Sequence, residues 1–269
     1  MSTPETPDVA AFVGATGGAG TTRTVVEVAA ALAADGLDVA VVDAAFATQG
    51  LGDYVEGRIE TDVTALVTDA ADADLSAGLF DLGLDSDSDS GSDSSFDSDS
   101  KGGASGRVAV CPAYAPFERL ARAKRVEAAK SLEARVETAA SRFDHVLLDV
   151  PPIAANQAVA AVTTADRVAV VAPATERGAT AIQRTHERLA DVGAEASLVI
   201  STRGGLETAD VGVPAAASPD VQTPTVLEED GRFATAIERV AAAVTGRETV
   251  TAETASDGLL DAVGEYVGR

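Results

Sequence analysis

Two hydrophobic periods alternate along the chain. Short, nearly unbroken apolar runs occur at Val9–Ala15, Asp38–Ala44, Arg107–Tyr114, Asp144–Pro152, Asp166–Ala174 and Ala196–Thr202. Their length and content suit strands buried on both faces. Between them the spacing shifts to three and four. A helix is expected from Thr21 or Thr22, either of which can cap it, through Ala34, with Gly36 as the stop. Residues 116–143 carry Phe117, Leu120, Val126, Ala129, Leu132, Val136, Ala140 and Phe143 at helical spacing and predict one long helix. Further helices are expected after Pro152, up to about Val192, and over residues 231–245. Less regular apolar spots fall at Val63, Leu66 and Val67, and a weaker edge strand is expected at Ala215–Asp220. Strands alternating with helices imply a three-layer α/β fold, a mostly parallel central sheet with helices on both faces.

Three stretches fall outside this alternation. Residues 1–8 read as a disordered leader and residues 246–269 as a tail with one short helix. Residues 84–105, rich in Ser and Asp, have almost no apolar content to offset their ordering entropy and read as a disordered insert in a single 9–245 domain. The alternation of Asp85, Asp87 and Asp89 looks like the start of a calcium loop. Ser90 stands where the glycine is needed and Phe96 where the bidentate glutamate belongs, so that reading fails.

Charge changes the picture next. The chain carries a net −23, and its lysines are Lys101, Lys124 and Lys130 alone. An acidic, lysine-poor surface suits the high-salt cytoplasm of a halophile, where screening shortens the Debye length to about 3 Å near 1 M. Direct nucleic-acid binding is disfavoured, because backbone contacts need a basic patch. The cluster Arg119, Arg122, Lys124 and Arg125 reads as a solvated helix face. Cys111 stands alone, so there is no disulfide framework, and it reads as a small core residue. His145 and His186 are too far apart to suggest a metal site. No signal peptide and no membrane-spanning run is visible, which points to the cytoplasm.

The candidate chemistry lies on one rim. Ligands of such sheets bind beyond the carboxyl ends of the strands. The loops there are Gly14–Thr22, Asp43–Gly50, Asp149–Ile153, Pro173–Gly178 and Thr202–Gly204. The first, "GATGGAGTT", is a glycine-rich phosphate loop entering a helix. With "DVAVVDA", "VCPA", "DHVLLDVPP", "VISTR" and "SPD" in order behind it, the chain resembles the ParA/MinD family of P-loop ATPases over about residues 8–245. The resemblance implies ATP and Mg²⁺ as ligands, a protein partner, a possible homodimer, and a positioning or chromosome-partitioning type of role. It assigns the nucleotide to Gly17, Gly18, Ala19, Gly20, Thr21, Thr22, Thr202, Arg203, Pro219 and Asp220. It assigns the metal to Thr22, Asp43 and Asp149, and leaves Asp43 as a weak catalytic candidate.

The departures from that family are equally specific. Thr16 and Thr21 stand where the family carries two lysines, Ala45 where it carries a water-positioning aspartate, and Thr202 where it carries an adenine-contacting asparagine. A charged hydrogen bond is worth about 1.5–3 kcal/mol, so one missing lysine weakens phosphate binding by one to two decades. Phosphoryl transfer is mostly positioning and charge stabilisation, so losing both lysines and the acid leaves weak or no hydrolysis. Arg23, one residue past Thr22, is the nearby cation available as an electrostatic substitute. Two rivals stand beside this degenerate ATPase. "GATGGAG" is also G-x-x-G-x-x-G and resembles the G-A-T-G-x-x-G of NmrA-like NAD(P)-binding proteins, which implies Asp43 as the ribose acid, although no Y-x-x-x-K dyad and no role for "DVPP" accompany it. The other is a nucleotide-free interaction module. In the tail, Leu259, Leu260, Val263 and Val267 form an apolar face. Its polar face, Asp257, Asp261 and Glu265, is acidic, so docking on protein is favoured over anionic lipid.

Overall fold

The computed structural model describes residues 8–84, 106–217, 224–228 and 231–247. The leader to residue 7, the insert from 85 to 105, Pro219, Asp220 and the tail from 248 lie outside the described residues.

The apolar runs form β1 (Asp8–Gly14), β2 (Val39–Asp43), β4 (Val108–Cys111), β5 (His145–Val150), β6 (Arg167–Pro173) and β7 (Leu198–Thr202). With β3 (Phe80–Asp81) and β8 (Val211–Val213) they make one sheet in the order β3-β4-β2-β5-β1-β6-β7-β8. All pairings are parallel except β3 with β4, a two-residue antiparallel edge that the sequence pattern did not signal. β4 stops at Cys111, because Pro112 has no N–H to give the ladder. Among the described residues the last edge strand is Val211–Val213; of the strand expected at Ala215–Asp220, residues 215–217 form no strand and the rest lie outside the described residues. Val211 and Val213 are buried on either side of exposed Gly212, and Pro214 ends the pairing.

Successive residues of each strand face opposite layers. Ala10 and Phe12 pack under α1 (Thr21–Ala34) and α8 (Arg232–Thr245), with α7 (Thr225–Glu228) beside them. Val9, Ala11 and Val13 face α2 (Val63–Leu66), α3 (Phe117–Ala123), α4 (Val126–Ala140), α5 (Asn156–Thr164) and α6 (Glu176–Asp191). This is the three-layer α/β architecture of P-loop NTPases.

The helix expected over 116–143 is two helices. The chain leaves α3 at Lys124 and passes through extended Arg125 before α4 begins. Phe117 and Val126, placed by their spacing on the core face, are instead 86% and 53% exposed. A spacing template carried across a break assigns residues beyond it to the wrong face. The cap of α1 also differs. Gly20, in the left-handed region at φ 89°, is the N-cap, and Thr21 is the first helical residue.

In a dinucleotide fold the second strand pairs with the first, in the order 3-2-1-4-5-6. Here β5 lies between β2 and β1. The NAD(P) alternative therefore loses the strand neighbourhood that suggested it. No helix among the described residues is long and apolar enough to cross a membrane.

Candidate functional site

The insertion of β5 between β2 and β1 builds the site. Asp43 ends β2 and Asp149 lies near the end of β5, and the two are direct partners in the parallel register. Both carboxylates are buried, at 0% and 1% exposure. Asp43 is held by backbone donors: the Ala45 N–H at 2.7 Å and the Ala113 N–H at 3.2 Å. Burial pushes the Asp43 carboxyl well above the ordinary range, and the neighbouring Asp149 charge pushes the same way, against those donors. Burial also raises Asp149, to about 6, although a hydrogen bond from Thr22 opposes it. Two adjacent carboxylates out of water strongly favour a proton or a cation between them.

Above them β1 turns through the loop Ala15–Gly20 into α1. Gly18 and Gly20 take positive φ, 70° and 89°, which side-chain-bearing residues rarely adopt. This turn leaves the first amides of α1 directed at the loop, a preformed anion cradle. Side chains added at Gly17 or Gly18 would meet nothing within 4 Å, so the space over the loop is open. Thr22 Oγ1 donates to Asp149 Oδ2 at 2.6 Å. The loop after β2 closes against it, where a side chain at Gly50 would come within 3.3 Å of Thr22 Oγ1.

Thr21 turns the other way. A side chain at Gly14 would meet Thr21 Oγ1 at 2.7 Å, so this hydroxyl leans back over the end of β1. Thr202 Oγ1 donates to the Ala19 carbonyl at 2.6 Å, and Arg203 donates to the Gly18 carbonyl at 2.8 Å. Both brace the phosphate loop from β7. With Gly20, Arg23, Val213 and Phe233 they also line a pocket of about 80 Å³ beside it. Of the nucleotide residues expected, the structure thus gathers all except Pro219 and Asp220, which lie outside the described residues.

Arg23 is engaged on the far side of α1 from the loop's open face. Its guanidinium lies against Glu27 at 3.2 Å and donates to Thr225 Oγ1 at 2.6 Å, on the α7 side of α1. Glu27 itself is buried and accepts from the Thr225 and Val226 amides at 3.1 and 2.8 Å. It caps α7 from across the fold. Sequence reasoning missed this residue. The one available signal was a carboxylate flanked by apolar residues in "TVVEVAAAL".

A glycine turn at the end of β1, a helix entered through it, and an acid on the neighbouring strand bonded to that helix's hydroxyl sit at one rim of a P-loop NTPase-like α/β fold. Solved structures share the fold. MinD, the septum site-determining protein of Pyrococcus horikoshii OT3, complexed with Mg-ADP, superposes with a TM-score of 0.66 at 16% identity over 91% of this chain and 100% of that one. A ParA family ATPase from Chlorobium tepidum TLS gives 0.66 at 15% identity over 87% and 98%. Cobyrinic acid a,c-diamide synthase of Mycobacterium smegmatis, with a bound ATP analogue and magnesium, gives 0.61 at 18% over 87% and 92%. At these identities the likeness establishes the fold. No protein-family model and no curated protein matches the chain.

Proposed function

We propose that this chain is a ParA/MinD-like protein with a degenerate phosphate loop. It binds Mg·ATP weakly, hydrolyses it slowly or not at all, and acts through a protein partner as a regulatory or positioning component. The observation that carries the proposal is the Thr22–Asp149 hydrogen bond beside Asp43, under a loop that keeps its glycine turns. The donor set fits Mg²⁺, which takes a hydroxyl, one or two carboxylates and phosphate oxygens. Thr22 would hold the ion directly, with Asp149 and Asp43 behind it. When bound, Mg²⁺ supplies neutralisation of phosphate charge.

The chain's own residues do the rest. The α1 amides and the loop backbone hold phosphate, and Thr202 and Arg203 keep the loop in shape. Thr16 and Thr21 give the phosphates no charge. Ala45 is 4% exposed, and its methyl cannot orient a water. Binding therefore outlasts chemistry. The fold neighbours bound to Mg-ADP, and to an ATP analogue with magnesium, support this ligand class.

Calorimetric titration with ATP in high salt tests the proposal. Weak binding that tightens with Mg²⁺, with turnover near background, is the expected result. Robust hydrolysis abolished by Thr22→Ala would overturn the degenerate site. No response to ATP or ADP would favour the nucleotide-free interaction module, and tight NAD(P) binding the dinucleotide alternative.

A further inference from the structure

Among the described residues α8 is the last helix over the β8 edge of the sheet, and a groove of about 640 Å³ lies along its second half. The floor is Leu198 and Val211, the first residues of β7 and β8, both part of the apolar layer that α8 covers. The wall is Ala242, Ala243 and Gly246, small enough to let a second helix approach α8 closely. Arg239 stands on the same wall, and Arg232 lies about two turns before it on the same helix. Both are exposed, and neither pairs with a carboxylate among the described residues. Asp210, the acid of the groove, is engaged by the Val199 N–H at 2.7 Å. An apolar floor edged by two such arginines, on a chain of net charge −23, selects an occupant that is apolar and acidic together.

The chain passes out of the described residues at this groove. α8 ends at Thr245, Arg167 at the start of β6 donates to the Val244 carbonyl, and Arg247 lines the groove itself. Groove and exit therefore share the amino ends of the strands, the rim opposite the phosphate loop. Residues 248–256 then lead to Asp257–Val267. At helical spacing Leu259, Leu260, Val263 and Val267 make one apolar face there, and Asp257, Asp261 and Glu265 follow one another four apart along its flank. Antiparallel neighbouring helices are joined by about two to eight residues, so a linker of this length suffices for the turn. A helix over 257–267 is about 16 Å long, against about 21 Å for α8. So short a tether holds the segment at an effective concentration of the order of millimolar. A second copy, itself strongly acidic, must approach against charge repulsion. Anionic lipid would meet the acidic flank.

We propose that Asp257–Val267 docks as a helix in the α8 groove of its own chain, antiparallel to α8. The four apolar side chains cover Leu198 and Val211, and the acidic flank faces Arg239 and Arg232. The docked helix extends the layer of α1 and α8 over the edge of the sheet and leaves the phosphate-loop rim open. It stands apart from the nucleotide reading.

Amide hydrogen exchange on the full chain, read by peptide mass at low and high KCl, tests this. Residues 257–267 should exchange at least about tenfold more slowly than an unstructured chain, independently of protein concentration. Ala243→Arg fills the groove from an exposed position and should abolish that protection. Leu260→Asp should abolish it from the other side. Buried Ile237 and Val240 should keep their own protection in both variants, which shows that α8 stays folded. Should α8 itself loosen in Ala243→Arg, Leu260→Asp decides, because it leaves the described residues untouched. Arg239→Glu should weaken the protection, more at low KCl than at high, because salt screens the pairing. Exchange of 257–267 at the unstructured rate in the unmodified chain would overturn the proposal. So would protection that survives Ala243→Arg or Leu260→Asp. Protection that rises with protein concentration would place the segment on a second copy, and protection seen only with vesicles of anionic lipid would place it on a membrane; either result overturns the proposal too.

Discussion

Thr22 Oγ1 donates a hydrogen bond to Asp149 Oδ2 across 2.6 Å, joining the first turn of α1 to β5. The bond fixes which way the hydroxyl lone pairs face. Thr22→Val should leave the fold intact and remove the gain in ATP affinity that Mg²⁺ brings. An outer partner of a metal ligand is worth about 10–100-fold, and the ligand itself at least that. Titration with and without Mg²⁺ measures it. An unchanged Mg²⁺ dependence would move the cation elsewhere.

The buried pair also predicts a pH response. Asp43 and Asp149 both hold protons more tightly in the folded state than the ordinary value of about 3.9. Their contribution to stability is fully present below that value and is lost as pH rises through the folded values, about 6 for Asp149. Mg²⁺ with ATP should raise the Tm at pH 8 and have little effect at pH 5, where protons occupy the site. Asp43→Asn should flatten both dependences. Thermal unfolding from pH 5 to 8 with and without Mg²⁺ checks the sign.

Restoring charge should separate binding from turnover. Thr21→Lys should tighten ATP by about one to two decades, the value of one charged hydrogen bond, without a matching gain in rate. Gain in hydrolysis should require Ala45→Asp and Thr16→Lys as well. Ala45 is 4% exposed, so its replacement by Asp should also lower the Tm. Single-turnover assays of the stepwise set decide the order.

Glu27 predicts a purely structural effect. It accepts from two amides of α7 and from Arg23 while 2% exposed. Glu27→Ala would leave Arg23 and the α7 amides without this partner, at a cost of about 3–5 kcal/mol. Urea unfolding should show a lower midpoint with an unchanged slope. A shift under 1 kcal/mol would show that water replaces the carboxylate at little cost.

Salt should stabilise the chain. At −23 the surface repels itself, and raising KCl from 0.1 to 1 M shortens the Debye length from about 10 to about 3 Å. The Tm should climb steadily over that range. A Tm that falls with salt would refute the high-salt reading of the composition.

The sequence by itself determined the strands, the sheet class and the position of the phosphate loop, because buried parallel strands and glycine turns are written in local pattern. It also determined that positions 16, 21 and 45 carry no charge, since Thr16, Thr21 and Ala45 are read directly. The strand order belonged to the tertiary structure. Parallel pairing is set by long-range burial, and no local period announces that β5 enters between β2 and β1 to bring Asp149 beside Asp43 and under Thr22. Direction was likewise decided in three dimensions. Arg23 lies one residue beyond the Thr22 hydroxyl, yet it points away, because buried Glu27 and Thr225, about two hundred residues on, hold its guanidinium. Phe117 shows the same limit from the other side. Its spacing continues the apolar stripe of α4, but the break at Lys124 and Arg125 rotates that stripe, and the side chain that pattern placed in the core stands in solvent.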